Sequence, residues 1–312
     1  MRLFLRNRFT GNRNSLLAKA LCSVVLLGFM AATAVAQPKL LPFKIPLAHT
    51  TAQATTQAEA QLVRVPDGRM LAPDIARIVN RGVLIVAILS KGTLPFVYEK
   101  GGVLEGVDID LIRQVGYELK VPVRFDRSSN TYDGVVQMVA NGQADLGVSK
   151  LARTLKRAQV VQFSEPYMRL EHSLLVNRLA FAEVAREQSV SQAVRSFTGT
   201  VGVLAGSAWE EFARRNFTKA RVVPFPTWTE AVEAAKKGEV VAAYRDAIEV
   251  RMIMKAEPSL ALTMRTVSFS DLHSMLCVMV GGQNHMLLSL VNEIVTTQTE
   301  QFTVNSLLNK MK

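Results

Sequence analysis

What most constrains this chain is a regular alternation of short, branched apolar runs with amphipathic stretches. "VLIVAIL" (83–89) reads as a buried strand, preceded by a short helix "APDIARIVNRG" that Gly82 stops. After the loop "KGTLPFVYEKGG", the stretch "GVDIDLIRQVGYELK" sets Val107, Ile109, Leu111, Ile112, Val115 and Leu119 at a spacing that suits a helix packed by one face on a sheet. A strand "PVRFDR", a helix "YDGVVQMVANGQ" and a strand "ADLGVSK" follow. Strand–helix–strand order of this kind predicts a parallel α/β sheet.

The pattern then repeats. "TVGVLAG", "ARVVPFP" and "VVAAYR" read as strands, and "SAWEEFARRNF", "TWTEAVEAAKKGE" and "DAIEVRMIMKAE" as the helices that follow them. Two successive α/β units predict two lobes with a cleft between them. Ligands of such sheets bind beyond the carboxyl ends of strands, often at helix N-termini. The last strand and helix, "SMLCVMVGG" and "LLSLVNEIV", have no third lobe to join and are expected to return to the first.

The first 36 residues are expected to lie outside this fold. Arg2, Arg6, Arg8, Arg13 and Lys19 precede an apolar run ending Ala34-Val35-Ala36, the layout of a signal peptide cut after Ala36. A retained anchor is the alternative, but Ala20 to Ala36 is short for a membrane span, which needs about 20 residues. Residues 37–61, rich in Pro, Ala, Thr and Gln, read as a flexible leader. Loss of the five leading cations lowers the formal net charge from +11 to +6. That excess, without a basic run interleaved with aromatics, gives no case for nucleic acid. The mature chain would keep only Cys277, so no internal disulfide is possible and stability must come from its cores. The four histidines are widely spaced, with no H-E-x-x-H, and neither G-x-S-x-G nor a phosphate-binding G-x-x-x-x-G-K occurs. No metal and no cofactor are expected.

Two local patterns mark helix starts that face the predicted cleft. Ser207 with Glu210, and Asp246 with Glu249, both have the spacing of a capping box. Backbone N–H groups exposed at such a start form a ready anion site.

The stretches "LPFVYEKGGVLEGVDIDLIRQVGYEL", "YDGVVQMVANGQADLGVSK", "TLKRAQVVQFSEPY", "VGVLAGSAWEEF" and "AAYRDAIE", in this order, resemble family 3 of the bacterial extracellular solute-binding proteins. The resemblance implies a type II periplasmic-binding-protein-like fold: two α/β lobes, each a mixed and mostly parallel sheet flanked by helices, joined by two hinge strands. The hinges would fall near 171–176 and 273–278, with lobe 1 made of 62–172 and 275–312 and lobe 2 of 173–274. It implies a periplasmic, monomeric protein that closes over a small carboxylate-bearing solute, foremost an amino acid, and delivers it to the membrane permease of an ABC transporter. The family's T-x-x-R motif falls on Thr154 to Arg157, which makes Arg157 the carboxylate contact; a guanidinium offers a planar fork of donors suited to that role. By the same resemblance Ser207 and Ala208 bring the second lobe's turn to that carboxylate, and Asp246 receives the solute's ammonium.

This chain departs from the family pattern in several places. Ser90 and Thr93 stand in the first loop where an acid and an aromatic are frequent, Ala152 replaces a serine, and Lys150 sits where a small residue is common. Phe96, Tyr98 or Tyr132 could supply the missing aromatic face. The second lobe also resembles periplasmic cyclohexadienyl dehydratase, which eliminates water and carbon dioxide from arogenate or prephenate. In that alternative Glu249 matches the catalytic acid, held protonated by burial. Against it, the cleft lysine of that enzyme appears here as His172.

Overall fold

The computed structural model describes residues 62–186 and 190–297, all within one unit of the chain. The expected signal peptide and leader lie outside the described residues.

The first sheet takes the order Val123–Ser129, Leu84–Leu89, Leu146–Gly147, Met279–Gly281, Val161–Phe163. Only Met279–Gly281 runs against the other four. Leu84–Leu89 is buried along nearly its whole length because helices cover both faces. The helix Val107–Leu119 buries all six apolar positions that its spacing set on one face. Helix His285–Thr297 packs against it and against Pro73–Arg81, so the C-terminal segment does return to the first lobe. Gly82 ends Pro73–Arg81 in the left-handed conformation, as expected.

The second sheet repeats the plan: Arg221–Phe225, Thr200–Leu204, Ala242–Asp246, Met168–Asn177, Met264–Leu276, with Met168–Asn177 the one reversed strand. The architecture is thus the expected pair of mixed, mostly parallel sheets flanked by helices.

The chain crosses between lobes twice, and the two crossings are one structure. Met168–Asn177 and Met264–Leu276 pair antiparallel from Met168↔Leu276 to Asn177↔Met264, with a register shift between Phe269 and His273. The hinge stretches 171–176 and 273–278 and the lobe boundaries placed by sequence fall in or beside this ribbon. Its Met264–Leu276 strand mixes Ser, Asp and His with apolar residues, and its burial is irregular.

The topology places three strand ends, Ser129, Gly147 and Leu204, beside a fourth, Asp246, at the seam of the two lobes. The lobes touch there. The Asp133 N–H donates to Gly206 O at 3.0 Å across the seam. Gly206 has φ +62°, and a Cβ on it would stand 3.3 Å from the Cβ of Thr131. A residue without a side chain suits both demands.

Candidate functional site

The side chains of the seam come from those strand ends and from the segments that follow them. From the first lobe come Tyr132, Lys150, Ala152 and Arg157, and from the second Ser207, Ala208, Arg245 and Asp246. With Leu170, Trp209, Ser274 and Leu276 they enclose a cavity of about 20 Å³, enough for one water. A solute therefore enters only when the lobes part. Outside it, a groove of about 840 Å³ shares Tyr132 and Arg245 and reaches Ser90, Trp228 and Glu249.

Arg157 opens a short 3-10 turn, held by its own N–H donating to Thr154 Oγ1 at 3.2 Å. Its guanidinium is 97% buried and already holds a carboxylate: Nε and Nη2 donate to Asp133 Oδ1 at 3.1 and 2.9 Å, and Nη1 to Ala152 O at 2.9 Å. Those three bonds leave two of the five N–H donors of a guanidinium unspent. Burial would raise the Asp133 carboxyl, but the charges of Arg157 and Lys156 outweigh that and hold it below its ordinary value. Asp133 carried no sequence signal beyond that of an acid in a helix's first turn.

Ser207 caps the helix Ala208–Asn216: its Oγ accepts from the Trp209 N–H at 3.3 Å and donates to Leu204 O at 2.6 Å. The expected capping box forms with a shift, since Glu210 accepts from the N–H of Gly206 and not of Ser207. Asp246 caps Ala247–Ala256 through Oδ1, 3.2 Å from the Glu249 N–H. Here the reciprocal half of the box is missing, because the Glu249 side chain turns into the seam to meet Lys150.

Lys150, which stands where a small residue is common in the family, joins the two lobes. It has φ +54°, a left-handed conformation that costs a residue with a side chain about 1–2 kcal/mol. Its N–H donates to the buried Asp108 Oδ2 at 2.6 Å, and its side chain crosses to the other lobe. There Nζ donates to Asp246 Oδ1 at 3.0 Å and to Glu249 Oε1 at 2.9 Å, with 4% of the side chain exposed. Burial alone would favour losing the proton; the Asp246 and Glu249 charges outweigh it, and the ammonium holds its proton more tightly than usual. Asp246 Oδ2 lies 2.9 Å from the same ammonium as an ion pair, yet it is buried without a hydrogen bond.

Arg245 was missed by sequence reading. It is 95% buried, lies 5.3 Å over the Trp228 ring, and donates from Nη2 to Tyr132 Oη of the other lobe at 3.2 Å. Its Nε has no hydrogen-bond acceptor. The signal was present: an arginine in the penultimate place of a strand whose five residues are all buried. Phe96 is wholly buried, does not line the cavity, and sits 5.2 Å from the Lys150 ammonium. Of the three aromatics considered, Tyr132 reaches the cavity, and Tyr98 lines the groove outside it.

Glu249 is held in its charged form. Burial pushes its carboxyl up, but Lys150 and Arg245 outweigh that and bring it well below the usual carboxylate range. In the dehydratase alternative Glu249 is protonated; those two cations, one of them on the opposite lobe, favour its charged form instead. His172 is neutral, since burial takes its imidazole down to about 3. It pairs through Nδ1 with Tyr244 Oη, which also accepts from Asn216 Nδ2 at 3.0 Å. No group of His, Cys, Asp and Glu among the described residues could hold a metal ion.

Asp108 gives a pH-dependent test of the Lys150 turn. Burial raises its carboxyl to about 7, against the opposing pull of the Lys150 N–H and the neighbouring Tyr167 hydroxyl. The folded state then holds a proton that the unfolded chain releases near pH 4. This contribution to stability is complete below about pH 4 and is lost as the pH rises through about 7. Asp108→Asn keeps an acceptor for the Lys150 N–H, so its unfolding free energy from urea titration should gain on the parent's by roughly a few kcal/mol across that window. Parallel pH profiles for the two proteins would refute the assignment.

The family model for bacterial extracellular solute-binding proteins, family 3, matches residues 85–310. The chain belongs to this family. This family 3 protein is 28% identical over 186 residues to the cyclohexadienyl dehydratase of Pseudomonas aeruginosa, covering 59% of the chain and 66% of the relative. It is 28% identical over 122 residues to the arginine-binding extracellular protein ArtP of Bacillus subtilis, covering 38% and 42%. The matches thus span less than two thirds of either curated relative's length. Among solved structures, the ancestral amino acid-binding protein AncCDT-1, described as a precursor of cyclohexadienyl dehydratase, aligns with a TM-score of 0.59 at 26% identity, covering 76% of this chain and 97% of its own. AbpA of Streptococcus pneumoniae, an amino acid ABC transporter substrate-binding protein bound to L-arginine, aligns with a TM-score of 0.59 at 23% identity, over 75% and 96% of the two chains. At that identity the likeness is one of fold.

Proposed function

We propose that this protein is the exported solute-binding component of an ABC-type importer, and that it closes its lobes over a small carboxylate-bearing solute of the amino-acid class. The observation that carries this reading is a pair of opposite hydrogen-bonding capacities that line one cavity from the two lobes. Arg157 retains two N–H donors toward a carboxylate, beside the N-terminus of the Ser207 helix. Asp246 Oδ2, buried without a hydrogen bond and ion-paired to Lys150 at 2.9 Å, is the acceptor that a solute's ammonium would share. A zwitterion supplies the complement of both. The amino acid-binding relatives, AncCDT-1 and ArtP, support the class. Export to the periplasm would use residues 1–36, and a membrane permease would receive the cargo from a monomeric carrier.

Calorimetric titration of the full chain with the protein amino acids tests this: one or more should bind saturably at one site. If none does, the reading fails. The lyase alternative requires Glu249 to donate a proton. With its charged form stabilised by Lys150 and Arg245, we expect no aromatic product from prephenate or arogenate. Turnover that Glu249→Gln abolishes would replace the binding reading with the enzymatic one.

A further inference from the structure

The cleft holds one cation more than a zwitterion needs. With Arg157 and the Ser207 turn assigned to the solute's carboxylate, and Asp246 Oδ2 to its ammonium, Arg245 is left over. Its guanidinium is not a solvated surface group: it is 95% buried, lines both the cavity and the groove outside it, and carries an Nε–H without an acceptor. Buried donors are nearly always satisfied, and an unpaired one points to a missing partner. Its nearest carboxylate oxygens are Glu249 Oε1 at 3.5 Å from Nη2 and Asp246 Oδ2 at 3.8 Å from Nε. Both are too long to be hydrogen bonds. Trp228 under the guanidinium and Tyr132 Oη at one corner fix the plane of the fork.

The acids of the cleft point the same way. Lys150 from the opposite lobe already takes Asp246 Oδ1 and Glu249 Oε1. Asp133 is taken by Arg157 and by Lys156 at 3.1 Å. Asp246 Oδ2 has no hydrogen bond but lies 2.9 Å from the Lys150 ammonium, so the solute's own ammonium would share it. A second cation on the solute would meet Lys150 and Arg245 in the same space, with Asp246 and Glu249 already paired to Lys150. A second acid would meet the open donor of Arg245.

Resting on the amino-acid reading above, we propose that Arg245 receives a second acid group of the solute, which makes the preferred cargo an acidic amino acid and excludes the basic ones. Selectivity is set by a guanidinium from the second lobe and guarded by the Lys150 ammonium from the first. The side-chain carboxylate of the solute lies between Trp228 and Tyr132, at the inner end of the groove.

The test is calorimetry on the full chain with L-glutamate, L-aspartate, L-glutamine, L-arginine and L-lysine, repeated on Arg245→Gln. L-Glutamate or L-aspartate should bind at least tenfold more tightly than L-glutamine, because a charge-assisted bond is lost with the amide. L-Arginine and L-lysine should not bind measurably. Arg245→Gln should weaken the acidic ligand by about tenfold or more and bring it level with L-glutamine. If Arg245→Gln fails to fold, Arg245→Lys keeps the charge without the planar fork, and it should still cost the acidic ligand most of its advantage. Preference for a neutral or basic amino acid overturns this proposal and leaves the solute-binding reading standing. An acidic ligand bound equally well by both proteins also overturns it. Binding of none of the five and of no other amino acid sinks both.

Discussion

Arg157→Ala will lose about a hundredfold or more in affinity for the solute while the protein stays folded. Two charge-assisted hydrogen bonds to a carboxylate, at about 1.5–3 kcal/mol each, disappear together, and 1.4 kcal/mol is already a factor of ten. The alanine also leaves Asp133 without its main partner. That carboxylate is 29% exposed in its side chain and keeps Lys156, so water and one cation replace what is lost. The buried bond from Nη1 to Ala152 O is lost as well, so the stability cost is about 1–3 kcal/mol, below the binding loss. Calorimetry against the best ligand of the amino-acid panel, with urea unfolding alongside, separates the two. An unchanged affinity would remove Arg157 from the site. A loss of affinity that merely follows a loss of fold would reduce it to a structural arginine.

The second large effect is conformational. Lys150→Met leaves Asp246, with no exposed surface, and Glu249 facing a methyl group. Within a single rigid core, removing one partner of such a buried pair costs about 3–5 kcal/mol. Here the partners stand on opposite lobes, so the molecule has a way out: the lobes part and water reaches the carboxylates. The solute-free variant should therefore show a larger radius of gyration by small-angle scattering than the parent, with a melting temperature lowered by only a few degrees. Identical scattering curves would mean that the ion pair does not hold the lobes together. A collapse in melting temperature without opening would mean that the lobes do not separate as units.

The periodic elements were legible because burial on one face leaves its own spacing. The helix from Val107 to Leu119 and the strand from Leu84 to Leu89 follow directly from it. The strand Met264–Leu276 did not, since "SFSDLHS" at its centre is polar and its pairing, not its composition, makes it extended. In the site, the family resemblance pointed to Arg157 through T-x-x-R and to Asp246 by position, whereas the D-x-x-E pattern alone explains Asp246 only as a helix cap. What no local pattern could give was pairing across the seam. Asp133 looks like any first-turn acid until Arg157 is placed beside it. Glu249 looks like the second half of a capping box, and only the fold shows Lys150 drawing it away. Arg245 was visible as a charge inside an apolar run, but its significance depends on Tyr132 lying opposite.

The paired crossing has a further consequence. Because Met168–Asn177 and Met264–Leu276 are hydrogen-bonded to each other, the two covalent links cannot flex independently. One lobe can swing against the other about essentially one axis, like a book on its spine. Every opening angle then fixes the distance between the two outer rims. A partner gripping both rims would tell the open molecule from the closed one by span alone, without ever touching the cleft.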